Sequence, residues 1–351
     1  MLTQTAAGRA YDFSHSVGIP GISGPSFYCP VGVAIGEGDV VYVLCRGIEG
    51  ILGGRPMVPN GYAARVSKVT IGMVPGDEEF VDEFGSYGEG EGQFIWATGI
   101  AMDSHKNVYV TDEWLNRVSV FDGDGKFLSQ WGTAGSGDGE FNRPSGIAID
   151  REDNVYIVDS LAHRVQKLTK EGKPLAKWGS FGSRAGQFNS PWGICVDGQG
   201  DVYVADYKNH RVQKFSPDGA FQVQFGGTQG NGPGELDRPS GVTVDPDGDV
   251  YVCDWANNRV QVFEPDGTPI TSFIGDAQEL SLWMKWMVDA NPDAQKARRR
   301  VKSLEPSWRF AFPTGAIFDP VKSRLLVTDT ERGRLQIYSK VREYAEAQFN
   351  L

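Results

Sequence analysis

The sequence predicts an all-β protein: one six-bladed β-propeller of four-stranded antiparallel blades, with a helical insertion before the last blade. Three observations predict it. A sequence block recurs about every 47 residues, each copy reads as four short strands, and glycine and proline punctuate the whole chain. Of 351 residues, 45 are glycine and 19 are proline. These are the poorest helix formers, which excludes a mostly helical protein.

The repeat is explicit. Five copies read NVYVTDEWLNRVSVFDGDG from Asn107, NVYIVDSLAHRVQKLTKEG from Asn154, DVYVADYKNHRVQKFSPDG from Asp201, DVYVCDWANNRVQVFEPDG from Asp249 and RLLVTDTERGRLQIY from Arg324. A worn sixth begins VVYVLCRG at Val40. The aspartates closing each V-Y-V run, Asp112, Asp159, Asp206 and Asp254, lie 47, 47 and 48 residues apart, and Asp329 follows after 75. In the third unit the four strands are P-S-G-I-A-I-D, N-V-Y-I-V-D, R-V-Q-K-L and P-L-A-K-W-G. They are β-branched or aromatic runs bounded by Gly, Asp and Pro. Six such units imply blades at about 27–94, 95–141, 142–188, 189–236, 237–275 and 309–338. The last copy lacks an outer strand. The run 10–18 resembles the outer strands elsewhere and is expected to close that blade, with 343–349 as the competing candidate. Closure removes open sheet edges.

Two segments break the beat. One is a loop insertion at 48–64. The other, at 276–308, places Leu280, Trp283, Met284, Met287 and Val288 at helical spacing, with Trp286 between them, followed by Asn291-Pro292-Asp293 as a helix start and then Arg298, Arg299 and Arg300. It reads as a helical hairpin.

The motifs N-H-R-V at Asn209–Val212 and A-H-R-V at Ala162–Val165, with the flanking P-x-G-I-A-x-D and V-Y-V-x-D patterns, resemble the NHL-repeat family over about residues 27–338. That resemblance implies the propeller fold. It leaves function open, because NHL propellers include protein-interaction scaffolds, RNA-binding domains and a few enzymes. The run Asp329–Tyr338 is also similar to the peptidyl-hydroxyglycine amidating lyase type. There the resemblance implies zinc-binding histidines near the channel. The six residues at the P-x-G position that should ring the channel here are Val31, Thr98, Ser145, Trp192, Ser240 and Thr314. None is histidine, so that zinc site does not carry over. The carboxylate cluster of gluconolactonase-like propellers has no match either. No cofactor is expected; a hydroxyl ring leaves room only for water or a weakly held divalent ion in the channel.

Each Asp and the Arg five residues later are expected to be structural, the Asp taking turn N–H groups and the Arg a carboxylate of an adjacent blade. A reacting pair copied five times around a ring has no chemical use. His163 and His210 hold a turn position that Asn116, Asn258 and Gly333 fill elsewhere. D-G-D-G and D-P-D-G lack calcium-loop spacing, and the glycine loops lack the Lys-Ser/Thr of a phosphate cradle.

In an antiparallel blade the loops between strands two and three, and those between blades, share one face. Both insertions belong to that face, as do Trp114, Tyr207 and Trp255 in the two–three turns, Trp96, Trp192 and Phe312 beside the inner strands, and Arg143 and Arg238 before P-S-G. Aromatic and Arg side chains dominate binding hot spots. Trp96, Thr98, Trp114, Arg143, Ser145, Trp192, Tyr207, Arg238, Ser240, Trp255 and Thr314, with Trp283 and Trp286 of the insertion, form the candidate binding set. The leading expectation is a cytoplasmic module that binds a protein partner or small molecule through this face. The alternative is a lyase or hydrolase at the channel mouth, with Arg143 and Arg238 as electrostatic stabilisers. RNA binding comes third, since a net charge of −11 repels phosphate. The four cysteines show no metal or redox spacing, and no apolar run is long enough to span a membrane or act as a signal, which favours the cytoplasm.

Overall fold

A computed structural model describes residues 3–47, 51–52, 55–56, 63–342 and 344. Six four-stranded antiparallel sheets stand around a central channel. Blade I comprises Pro30–Ile35, Val40–Cys45, Arg65–Thr70 and Glu79–Phe84. Blade II follows as Ala97–Met102, Val108–Asp112, Arg117–Phe121 and Phe127–Trp131. Blades III, IV and V repeat the pattern with inner strands Pro144–Ile149, Ile194–Val196 and Pro239–Val244. Blade VI takes Pro313–Asp319, Arg324–Asp329 and Arg334–Lys340 from the end of the chain and Arg9–Val17 from its start. Val17 lies opposite Leu335 and Tyr11 opposite Lys340, and Thr3–Ala6 adds a fifth strand outside. Most of the 48–64 insertion and nearly all of the 343–349 run fall outside the described residues.

Sequence explains the radial order. The second strands, V-Y-V-x-D, are buried along their whole length in blades II to V, as fits a layer covered on both faces by neighbouring blades. Outer strands such as Pro174–Trp178 are exposed and mix charged with apolar residues. The glycine of each P-x-G sits where blades come closest. A Cβ on Gly99 would lie 2.6 Å from the Ser145 carbonyl, and one on Gly146 would lie 2.6 Å from that of Trp192. Only glycine lets adjacent inner strands approach this far.

The repeated aspartate ties its blade together. Asp206 accepts the Asn189 N–H at 2.7 Å and receives Arg211 Nε at 2.8 Å. Arg211 then donates to the carbonyls of Arg184 and Gln187, in the loop entering the same blade. Blades III, V and VI repeat the pair at 2.8, 2.7 and 2.7 Å. This corrects the expectation that the Arg reaches an adjacent blade. Asp and Arg face each other directly across strands two and three, so the pair closes within one sheet. Blade II departs from the pattern: Asp112 takes N–H groups from Ile95, Trp96, Trp114 and Leu115, while Arg117 bonds only loop carbonyls. Burial raises the Asp112 carboxyl above its ordinary range, against those backbone donors. His163 and His210 occupy the left-handed turn position with φ of 54°, and each ring Nδ1 accepts a backbone N–H from the next blade's entry loop, Ser190 and Arg238 respectively.

Three helices form the insertion: α1 (Leu282–Asp289), α2 (Pro292–Arg300) and α3 (Glu305–Trp308). Ser281 caps α1, and Asn291 caps α2 by accepting the N–H groups of Asp293 and Ala294. The insertion packs on the seam between blades VI and I. Ser281 Oγ donates to the Gly18 carbonyl at 2.6 Å, and Leu282 N–H donates to Glu78 at 2.7 Å. Trp283 is buried with Val17, Phe27, Val69 and Ile71.

Candidate functional site

Three sequence columns converge on the mouth of the channel. The first is the P-x-G ring. Its hydroxyls are committed to neighbouring blades: Thr98 donates to the Pro144 carbonyl at 3.1 Å, Ser145 to that of Trp192 at 2.8 Å, and Ser240 to that of Pro313 at 3.1 Å. At this ring the channel narrows to about 80 Å³ of free space, and beyond it the inner strands enclose a wider cavity of about 580 Å³. Among the described residues, no three His, Cys, Asp or Glu side chains are grouped to hold a metal ion.

The second column is the residue before the inner strand: Cys29, Arg143, Ser190, Arg238 and Phe312. All five adopt positive φ, between 47° and 58°. This turns their side chains away from the extended path of the strand. The third column is the residue just after the aspartate (Cys45 in blade I): Arg46, Glu113, Ser160, Tyr207, Trp255 and Thr330. Sequence reasoning picked Tyr207 and Trp255 from it as aromatics and missed Arg46, Glu113 and Thr330. Aligning the repeats at that one position is the signal that finds them. Trp114 belongs one residue further on, where Leu161, Lys208, Ala256 and Glu331 stand.

Together these columns build an aromatic arc. Trp96 and Trp114 meet edge to face with ring centres 5.3 Å apart. The Arg46 guanidinium lies 5.2 Å from the Trp96 ring and 6.0 Å from Trp192, and Arg143 lies 5.7 Å from Trp96. Trp192 contacts Tyr207 at 6.2 Å, Tyr207 contacts Trp255 at 6.3 Å, and Trp255 stacks on Phe312 at 4.6 Å. Arg46 is paired with Glu113 at 2.5 Å. Burial pushes the Tyr207 phenol up, with Arg238 acting the other way.

The arc borders a hollow of about 460 Å³ walled by Trp192, Tyr207, Trp255 and Phe312 and floored by Ser240, Thr314 and Thr330, with Arg46 and Glu331 at its rim. Thr330 Oγ1 donates to the Pro30 carbonyl at 2.8 Å and lies 2.7 Å from the Thr314 hydroxyl, so the floor is fixed across the VI–I seam. Of the expected binding set, Trp192, Tyr207, Ser240, Trp255 and Thr314 line this hollow. Trp96, Trp114 and Arg143 extend its arc, and Arg238 flanks Tyr207. Thr98 and Ser145 stay within the ring of inter-blade bonds. Trp283 and Trp286 are not brought there: Trp283 is consumed by the seam, and Trp286 is 60% exposed on α1.

An inner ring of P-x-G strands, V-Y-V-x-D second strands and a mouth made from repeat positions define this chain as a six-bladed β-propeller. Residues 188–215 and 236–263 match the NHL repeat, and residues 80–169 match a family described as a 6-bladed beta-propeller. Among solved structures it is similar to a protein of unknown function from Bacteroides thetaiotaomicron, with 16% identity over 96% of this chain and 77% of that one, at a TM-score of 0.60. It is also similar to a catalytically inactive virginiamycin B lyase from Staphylococcus aureus with quinupristin, with 13% identity over 94% of this chain and all of that one, at 0.55. A streptogramin B lyase aligns over 94% of this chain and 98% of that one, with 12% identity and a TM-score of 0.54. At these identities the likeness is one of fold. No curated protein matches the chain.

Proposed function

We propose that this propeller is a binding module whose site is the aromatic mouth, and that its ligand is a flat or aromatic group carried by a protein segment or a small molecule. One observation carries the reading: the run of ring contacts from Trp192 through Tyr207 and Trp255 to Phe312, joined to the Trp96–Trp114 pair by the Arg46 guanidinium, around a hollow floored by fixed hydroxyls. Concave, largely apolar walls with a few placed polar groups are the usual form of a ligand site. Aromatic faces add stacking with little loss of side-chain freedom on binding. Cys45, Cys195 and Cys253, which form no disulfide among the described residues, fit a reducing, cytoplasmic setting.

Catalysis at the same mouth is the second reading, and it is favoured by the Arg46–Glu113 pair beside the arc. Tryptophan fluorescence during titration with quinupristin and a panel of aromatic peptides tests both. A saturable change that is lost in Trp255→Ala, with the probe recovered at unchanged mass, supports the binding module. A probe whose mass changes on incubation supports the enzyme. A response that Trp255→Ala and Trp192→Ala both leave intact, or no response at all, overturns the mouth as the site.

A further inference from the structure

One stretch within the insertion is strongly basic although the chain as a whole is acidic. Residues 285–302 hold six Lys or Arg and two Asp, a net +4 in a chain of net −11. Only one of those cations is paired: Lys296 meets Asp293 at 3.4 Å on an exposed turn. Lys285, Arg298, Arg299, Arg300 and Lys302 have no acidic partner among the described residues.

Helix α2 buries none of its nine residues and meets the body of the protein through α1. A helix this short and polar is marginal in water without contacts on one face. Between α1, α2 and the segments on either side lies a groove of about 710 Å³. Leu280, Val288 and Leu304 give it an apolar floor, and Lys285, Arg298 and Arg299 line it with charge. Glu279 and Asp289 share the same lining, so the cations outnumber the carboxylates.

We propose that this groove docks an acidic amphipathic segment of a partner protein. Its apolar side chains would rest on Leu280, Val288 and Leu304, and its carboxylates would pair with Lys285, Arg298 and Arg299. Charge complementarity of this kind sets partner choice and encounter rate. The concavity favours a segment over a bilayer, and so does the charge. A short segment stays within about 8 Å of the groove's cations, the screening length at physiological salt. A flat anionic bilayer would also face the remaining −15 of the molecule. The groove shares no lining residue with the channel mouth, so this proposal stands or falls separately from the binding module proposed there.

The test uses the full chain and a fluorescein-labelled peptide of about 12 residues with Glu on one helix face and Leu on the other, the helix-in-groove mode of recognition. Anisotropy should show saturable binding that weakens as salt rises. Reversing Arg298 and Arg299 to Glu should weaken it about tenfold or more, consistent with loss of close charge pairs. The same charge change at Lys177, on an outer strand of blade III, should leave it unchanged. Lys285→Glu, on the other helix, provides a second reversal should the double variant unfold early. Equal binding of a Lys-for-Glu peptide overturns the proposal. So does unchanged affinity in both reversal variants, or capture of the chain by phosphatidylserine vesicles without binding of the peptide.

Discussion

Arg211 and Arg300 are the same residue in two regions that use it oppositely. Arg211 is 5% exposed, held by Asp206 on one side and by two loop carbonyls on the other. Arg300 ends a solvated helix and touches no carboxylate among the described residues. The difference lies in the partner. Asp206 is completely buried, and a buried carboxylate needs a counter-charge and donors to stay ionised at low cost. The ring therefore consumes its arginines. The insertion has no buried acid, so its cations remain available to something outside the chain.

The largest effect that can break this contrast is in the ring. Arg211→Met should destabilise the protein by about 3–5 kcal/mol, because Asp206 is left buried without its cation. Urea unfolding measures it. A loss below about 1 kcal/mol would place Arg211 with the surface cations. Trp283 and Trp286 give the same comparison in apolar form, three residues apart on α1. Trp283→Ala should cost about 3–5 kcal/mol through the cavity opened at the VI–I seam. Trp286→Ala, at 60% exposure, should stay within about 0.5 kcal/mol.

A smaller effect separates the seams by pH. Lys340 donates to Asp245, Asp247 and Asp249 at 2.5, 2.8 and 2.9 Å, and Arg9 adds a bond to Asp249 at 2.9 Å. Both cations come from the closing blade and lock it to blade V. Burial alone would raise the Asp249 carboxyl, but its bonds from Arg9 and Lys340 hold it below the ordinary carboxylate value of 3.8. A depressed folded pKa contributes stability that is present above that ordinary value and lost as pH falls through the folded one. Stability should therefore drop below about pH 4, and Arg9→Gln should flatten that part of the profile. Thermal unfolding between about pH 2 and 6 follows it. An identical acid limb in the variant would show that Arg9 does not set Asp249.

The ring was far more legible in sequence than the insertion, for a physical reason. Four of the six blades close the same turn with the same Asp–Arg pair, and the V-Y-V strands and the P-x-G glycines announce themselves by repetition. The fold class and the blade number could be read this way, and the helical insertion before the last blade from the helical spacing of its apolar residues where the repeat breaks. The Asp–Arg pairing was misassigned to adjacent blades. Yet a five-residue spacing across a tight turn puts the two directly opposite in register, as Asp206 and Arg211 are. The seat of the insertion could not be read at all. It depends on Gly18 and Glu78, more than 200 residues from Ser281 and Leu282, and occurs once, without a period to reveal it. The mouth was half legible. Its aromatics stood out by type, whereas Arg46 and Thr330 are conspicuous only as members of a column.

The smallest expected effect sharpens the comparison most. Arg300→Gln should change stability by no more than about 0.5 kcal/mol, since no contact or ion pair is lost. The macrodipole complicates this slightly, because a cation in the last turn of α2 stabilises that helix by about 0.3–1 kcal/mol at low salt. Arg298 and Arg299 share that turn, so removing one of three leaves most of the effect in place. The same substitution at Arg211 should cost several times more, by the argument for buried pairs. Measuring both variants in one urea series fixes the ratio directly. Equal losses would mean that the insertion's arginines are structural after all. A large loss at Arg211 beside none at Arg300 leaves the cations of α2 without a structural role and open to a partner.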